Sequence, residues 1–265
     1  MRKSLKAVAA GAACVVVGAA LYGAGVAGAG QSTANSTHEP YNIGLLVKDI
    51  DTYYGTTADS NGVYQASQDS PYAKDLARID ADAKSYIDKG ARKAHHRGEK
   101  PAVVFDIDDT LLLSLDYEKR YNYTYNAGTW NDYVNRADRP AVFGSPELVR
   151  YAASKGVEVF YNSGLSEAQR AAAVENLKKV GADVNLDAGH MFLKDKADPP
   201  AYLKDCATPG TWNCTTVQYK SGTREHIEDD LGYDIIANFG DQYSDLDGGH
   251  ADRTYKLPNP TYFVS

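Results

Sequence analysis

The chain has 265 residues, is 43% hydrophobic and carries a formal net charge of −7. That length supports one sizeable domain with a small insertion, and the composition excludes the fibrous and disordered classes. The acidic balance argues against nonspecific binding to a nucleic-acid polymer or an anionic membrane.

The first residues differ from the rest. Met1-Arg2-Lys3-Ser4-Leu5-Lys6 is basic, an Ala/Val/Gly-rich run follows, and Ala27-Gly28-Ala29 supplies small residues where a signal peptidase cuts. Residues 1–29 read as a signal peptide cleaved near Ala29, leaving residues 30–265 as a secreted domain with no stable membrane span. The alternatives are an uncleaved anchor, which the Gly and Ala content weakens, and a lipoprotein at Cys14, which lacks the large aliphatic residue upstream. Loss of Arg2, Lys3 and Lys6 takes the net charge from −7 to −10. Cys206 and Cys214 then remain, and in an oxidising compartment they most simply close a disulfide around a loop. Metal binding by the pair is the weaker alternative, since a closed zinc site wants four ligands.

Gln31 to Pro40 is a polar arm. Ile43, Leu46, Val47, Ile50 and Tyr54 recur at helical spacing, and 55–69 is a Thr/Ser/Asn/Asp/Gly-rich loop. Ser70-Pro71 caps a long helix carrying Tyr72, Leu76, Ile79, Ala83, Tyr86 or Ile87, and Ala94 and ending near Gly98, so amino-terminal helices occupy about 41–98. Val103-Val104-Phe105 is a short buried strand, followed at once by Asp106, Asp108 and Asp109. Taken alone, those aspartates are either a solvated acidic turn or a cluster whose repulsion a cation or catalytic chemistry uses.

Residues 115–142 are polar and aromatic without a clear period and fit a small helical cap. Its Tyr121, Tyr123, Tyr125 and Trp130 either stack an aryl or nucleoside part of a substrate or pack the cap. Ser145-Pro146 starts another helix, closed by Gly156. Val157 to Tyr161 is the next strand, ending in Asn162-Ser163-Gly164. Ser166 with Gln169 makes a capping box for a helix bearing Ala172, Val174, Leu177 and Val180 and stopping at Gly181. His190 to Leu193 reads as a third strand and the Cys206–Cys214 region as an irregular excursion. A helix from about Gly222 to Leu231 with Lys220 at its opening, a strand from Asp234 to Phe239 ending in Gly240-Asp241, and a last strand near Tyr255 to Leu257 complete the order.

Strands alternating with helices predict an α/β fold: a Rossmann-like core with a mostly parallel sheet and helices on both faces. Ligands in such sheets sit beyond the carboxyl ends of the strands, where Asp106/Asp108/Thr110, Ser163/Gly164 and Asp241/Asp245 converge within reach of Lys220. Four carboxylates with one lysine suit a hard divalent cation and, once neutralised, a phosphate dianion. Singly, Ser163 also fits a helix start, Lys220 a surface charge, and Asp241 and Asp245 a turn. The histidines show no metal spacing. Asn35, Asn122 and Asn213 begin glycosylation sequons.

Asp106 to Thr110 as D-x-D-x-T, Ser163-Gly164, Lys220, and Gly240 to Asp245 as G-D-x-x-x-D together resemble the four motifs of haloacid dehalogenase (HAD) phosphatases. F-D-I-D-D-T-L-L-L-S, Y-K-S-G-T-R, G-D-Q-Y-S-D-L and Y-K-L-P-N-P-T-Y-F-V are similar to the secreted acid phosphatases of subfamily IIIB, with the plant vegetative-storage type the nearer likeness. The resemblance runs from about Ile43 to Val264. It implies a Mg2+-dependent phosphomonoesterase for small phosphomonoesters, with Asp106 as nucleophile and Asp108 as acid and then base. It implies phosphate binding by Ser163, the Gly164 N–H and Lys220, and metal binding by Asp106, Asp108 through its main-chain carbonyl, Asp241 and Asp245. Leu165 stands where that family often has arginine. A phosphotransferase on the same aspartyl-phosphate and a non-catalytic storage or binding protein on the same fold are the alternatives.

Overall fold

The computed structural model describes residues 40–265. The proposed signal peptide lies outside the described residues. Among the described residues no helix is long and apolar enough to cross a membrane.

Helix α1 (Ile43–Tyr54) is capped by Asn42, whose side chain accepts from the Gly44 and Leu45 N–H groups, and stops at Gly55 in the left-handed region. Only its second half packs: Ile50 and Tyr54 are buried, while Ile43, Leu45 and Leu46 stay exposed, so the expected apolar face is half the predicted length. The following loop contains a minimal hairpin, β1 (Thr57–Ala58) with β2 (Tyr64–Gln65). Helix α2 (Pro71–Arg97) has Ser70 as its cap, accepting from the Ala73 N–H at 3.1 Å, and Gly98 in the left-handed conformation at its end. It approaches the sheet closely at Gly90, where a Cβ would come within 3.0 Å of Ile236.

Strand β3 (Pro101–Phe105) is buried throughout. The chain then leaves the sheet through α3 (Leu115–Arg120) and α4 (Ala127–Asn135). The ends of this excursion are tied together: the Leu113 N–H donates to Pro140 O and the Val142 N–H to Leu111 O, both at 2.9 Å. Helix α5 (Ser145–Ser154) follows. Its cap position is Gly144, with Ser145 and Pro146 already inside the first turn, because the left-handed φ of 79° there suits glycine.

Strand β4 (Glu158–Ser166) runs five residues beyond the expected Tyr161, through Ser163-Gly164-Leu165. Gln169 Oε1 accepts from the Ser166 N–H at 3.0 Å, one 3-10 turn ahead of α6 (Arg170–Lys179). The fully buried residues of α6 are Ala173, Asn176 and Leu177, and the expected Ala172, Val174 and Val180 pack partly buried against the same core. After β5 (Met191–Lys194), the Cys206–Cys214 disulfide closes a second small hairpin, β6 (Ala207–Thr208) with β7 (Thr211–Trp212). Helix α7 (Thr216–Glu225) starts six residues earlier than predicted, since Thr215 and Gln218 cap each other reciprocally. Lys220 therefore sits inside the helix, and a π-helical turn, His226–Asp230, continues it. Strand β8 (Asp234–Gly240), one turn of helix α8 (Tyr243–Leu246) and β9 (Thr254–Lys256) end the element order.

The main sheet has the order β5-β4-β3-β8-β9, and every pairing is parallel. Residues alternate between two cores. Val103, Phe105, Val159 and Tyr161 face the larger one with α2, α5 and α6, whereas Ala102, Val104, Phe160 and Ile235 face Ile227 on the other side. A register shift of β8 against β3 leaves Ile236 as the extra residue, so Ala237 and Phe239 realign with Val103 and Phe105. Phe105 stacks on Phe239 at 4.6 Å, and Phe239 on Tyr255 at 4.8 Å. Such pairs contribute about 0.5–1.5 kcal/mol each beyond area burial, and this one fixes the level at which Asp106 and Asp241 leave their strands.

Candidate active site

From β3 the chain continues to β4 and β5 on one side, while β8 and β9 lie on the other. The crevice at the carboxyl ends of β3 and β8 is thus a topological switch point. Asp106 emerges there from β3 and Asp241 from β8, with the Asp106 N–H donating to Phe239 O at 2.9 Å. One turn later α8 returns Asp245 to the same place. Carboxylate oxygens of Asp106, Asp241 and Asp245 lie within 4.8 Å of one another, and all three residues are buried.

Gly240 is what lets these carboxylates converge. A Cβ on it would come within 2.4 Å of the Asp245 Cβ. Asp245 is held by the Gln242 N–H at 3.0 Å, and its main-chain carbonyl takes Asn238 Nδ2 at 2.9 Å and Arg224 Nη1 at 2.6 Å. Asp241 Oδ2 accepts from Asn259 Nδ2 and Gln242 Nε2, each at 2.7 Å.

Lys220 crosses from α7. Its ammonium donates to Asp106 Oδ1 at 2.5 Å, pairs with Asp245 Oδ1 at 2.9 Å and also reaches Asn162 O. Asn162 Nδ2 returns a bond to Lys220 O at 2.9 Å, so β4 and α7 are stapled where the ammonium enters. Burial opposes charge on Lys220, yet Asp106 and Asp245 outweigh it and hold the group above its ordinary pKa. Burial pushes the Asp106 carboxyl well above the usual range; Lys220 works against this, and Asp245, Asp241 and Asp108 add to it. Asp241 is pushed up to about 7, by burial first and then by Asp245 and Asp109. One ammonium does not offset three buried carboxylates, and their oxygens are close enough together that the cluster could hold a metal ion.

The other predicted residues divide. Asp108 is half-buried on the cavity wall, and Arg139 Nη1 donates to its Oδ1 at 2.5 Å. Asp109, at a φ of 51°, closes its turn by accepting from the Ser114 N–H at 2.9 Å and from the Ser114 hydroxyl. Gly164 faces the cavity. Ser163 does not: it is fully buried, and its hydroxyl accepts from the Leu165 N–H at 3.2 Å. Strand alternation explains this, because Ser163 and Leu165 share the core side with Tyr161.

The cavity measures about 690 Å³ and brings Asp106, Asp108, Asp241, Asp245, Lys220 and Gly164 together with residues not anticipated. Lys194, Glu118, Gln242 and Tyr262 line it. Arg139, Arg224 and Asn259 brace it from behind. Arg224 had a signal, its i+4 spacing from Lys220, and Asn259 lies in the Y-K-L-P-N-P run. Arg139 had none, being placed by the return of the α3–α4 excursion. The aromatic group also divides: Tyr123, Tyr125 and Trp130 line the cavity, while Tyr121 packs on Tyr117 at 4.7 Å.

A family model for the HAD superfamily, subfamily IIIB (acid phosphatase), matches residues 56–265. The chain belongs to this family. Among proteins similar to it, a Glycine max stem 28 kDa glycoprotein is 34% identical over 170 residues, covering 62% of this chain and 61% of that protein. Acid phosphatase 1 of Solanum lycopersicum is 31% identical over 165 residues, covering 61% and 58%, and vegetative storage protein 1 of Arabidopsis thaliana is 32% identical over 165, covering 61% and 54%. The chain thus spans about three fifths or less of the length of these curated relatives. The class C acid phosphatase from Bacillus anthracis superposes with a TM-score of 0.53 at 23% identity, over 70% of this chain and 78% of that one. This likeness agrees with the HAD-type α/β fold.

Proposed function

We propose that the chain is a secreted, Mg2+-dependent acid phosphatase that hydrolyses small phosphomonoesters through an aspartyl-phosphate on Asp106. The observation that carries the reading is the buried Asp106 carboxylate, in contact with Lys220 and converging with Asp241 and Asp245 at the head of an open cavity. Family membership and the tomato relative named an acid phosphatase support it. A solved class C acid phosphatase of this fold has tungstate bound.

The donor set fits a hard divalent cation, being all oxygen, buried and in excess over its lysine. Asp106, Asp241, Asp245 and the Asp108 main-chain carbonyl would hold it, and it would supply charge neutralisation between the carboxylates and the phosphoryl group. The chain's own residues do the rest. An Asp106 oxygen attacks phosphorus while the ester P–O bond breaks, and Asp108 gives its proton to the leaving oxygen. Water then attacks the same phosphorus, Asp108 takes the water's proton, and the bond to Asp106 breaks to release phosphate. Lys220 and the Gly164 N–H stabilise the phosphoryl oxygens, with Ser163 shaping the strand behind Gly164. Arg139 holds Asp108 in place through both proton transfers. Residues 1–29 as a signal peptide and the Cys206–Cys214 disulfide support secretion. Residues 115–142 act as the cap over the cavity.

Asp106→Asn is expected to reduce hydrolysis of an aryl phosphate by roughly 10⁴-fold or more, and chelation to suppress the wild type reversibly. Undiminished turnover in the Asn variant would overturn the mechanism. Because a relative is named a vegetative storage protein, a storage role is the second reading. It is favoured if purified protein with magnesium turns over no phosphomonoester in a broad panel.

A further inference from the structure

Lys194 ends β5, opposite Ser166 of β4, and its side chain enters the cavity that holds Asp106 and Lys220. Its ammonium lies beside Gly164: a Cβ built on that glycine would be 3.8 Å from Lys194 Nζ. The group also lies over the Tyr219 ring, 5.5 Å from the centroid. Among the described residues no carboxylate or carbonyl is bonded to it, whereas Lys220 contacts Asp106, Asp245 and Asn162. Burial, and then the like charge of Lys220, push its pKa below the ordinary lysine value, with Asp106 and Asp245 pulling the other way. A half-buried cation without a counter-ion is costly, and an anion arriving between it and Lys220 relieves that cost. The residue after Gly164 offers no such charge, since Leu165 is buried in the core.

We propose that Lys194 is a second cation for the phosphoryl group, binding its non-bridging oxygens from the Gly164 side while Lys220 binds them from the α7 side. This rests on the phosphatase reading for its substrate. It predicts that the free phosphate dianion, the product of that reaction, is held by the same ammonium.

The test is equilibrium binding of orthophosphate to the magnesium-loaded full chain by titration calorimetry, with kcat and KM for an aryl phosphate measured in parallel. Lys194→Met keeps the stem and removes the charge. It is expected to weaken orthophosphate about ten- to a hundredfold and to raise KM more than it lowers kcat, without lowering the melting temperature of the phosphate-free protein. Lys194→Arg is expected to restore most of the affinity, which a purely structural role for the stem would not require. Wild-type orthophosphate affinity in Lys194→Met overturns the proposal, and should that variant not fold, Lys194→Gln decides in its place. If wild-type protein binds orthophosphate but hydrolyses nothing, the phosphatase reading fails while the binding comparison still decides the role of Lys194. If wild-type protein binds no orthophosphate, the proposal is overturned outright.

Discussion

Neighbouring residues of the same type have separate tasks here. Asp106, Asp108 and Asp109 lie within four positions, yet one contacts Lys220, one Arg139 and one Ser114. What separates them is direction: the left-handed φ at Asp109 turns the chain so that its carboxyl serves the turn and leaves the cavity to the other two. Glu118 is a carboxyl the proposed mechanism does not use. It lines the cavity, and burial, with a smaller contribution from Asp109, pushes it up to about 8. The folded chain therefore keeps a proton that the unfolded chain releases near the ordinary glutamate value. Stability falls as pH rises through that interval, and the penalty is complete above the folded value. Glu118→Gln removes the penalty, so at fixed magnesium its melting temperature should gain on the wild type between pH 5 and pH 9. A constant difference across that range would show that Glu118 is ionised throughout.

At the scale of elements, α7 is the piece on which the site depends most, since it carries Lys220 into the crevice and Arg224 behind it. Arg224 donates to the carbonyls of Asp245, Asp247 and Gly249 and so holds the loop after β8 against the helix. On its outer side α7 packs through Tyr219 against the β6–β7 hairpin, with Trp212 at 5.6 Å and the Cys206–Cys214 disulfide within the same small core. A disulfide spanning eight positions restricts the unfolded chain by about 2–3 kcal/mol. The double variant Cys206→Ser/Cys214→Ser should lose up to that much in denaturant unfolding. An unchanged midpoint would mean that Trp212 and Tyr219 hold the hairpin unaided.

At the scale of the molecule, the site is closed by the carboxyl-terminal segment. The segment after β9 returns across the sheet end, where Asn259 binds Asp241, Ser244 Oγ donates to Val264 O at 3.0 Å, and Tyr262 lines the cavity. Partners behind a metal ligand orient it and tune its basicity, and losing one costs roughly 10–100-fold in metal affinity or activity. If the proposed magnesium site is right, Asn259→Leu should raise the magnesium concentration giving half-maximal activity by a factor in that range. An unaltered magnesium requirement would show that Gln242 alone suffices to orient Asp241.

The sequence alone determined what local physics encodes. Ser70-Pro71 and Gly98 bounded α2, and an apolar run followed by aspartates marked β3. The order of strand ends placed Asp106, Lys220, Asp241 and Asp245 in one crevice. It misplaced the start of α7, because the reciprocal cap of Thr215 and Gln218 follows directly on the cysteine excursion, where no apolar period announces a helix. It set Ser163 on the cavity wall because a motif carries residue order but not the face on which each side chain emerges. Tertiary structure alone decided that Arg139 meets Asp108, that Asn259 meets Asp241, and that Lys194 stands beside Gly164. Those contacts join segments far apart in the chain or set by sheet register. No spacing rule reaches them, since they exist only once the sheet has brought its strand ends level.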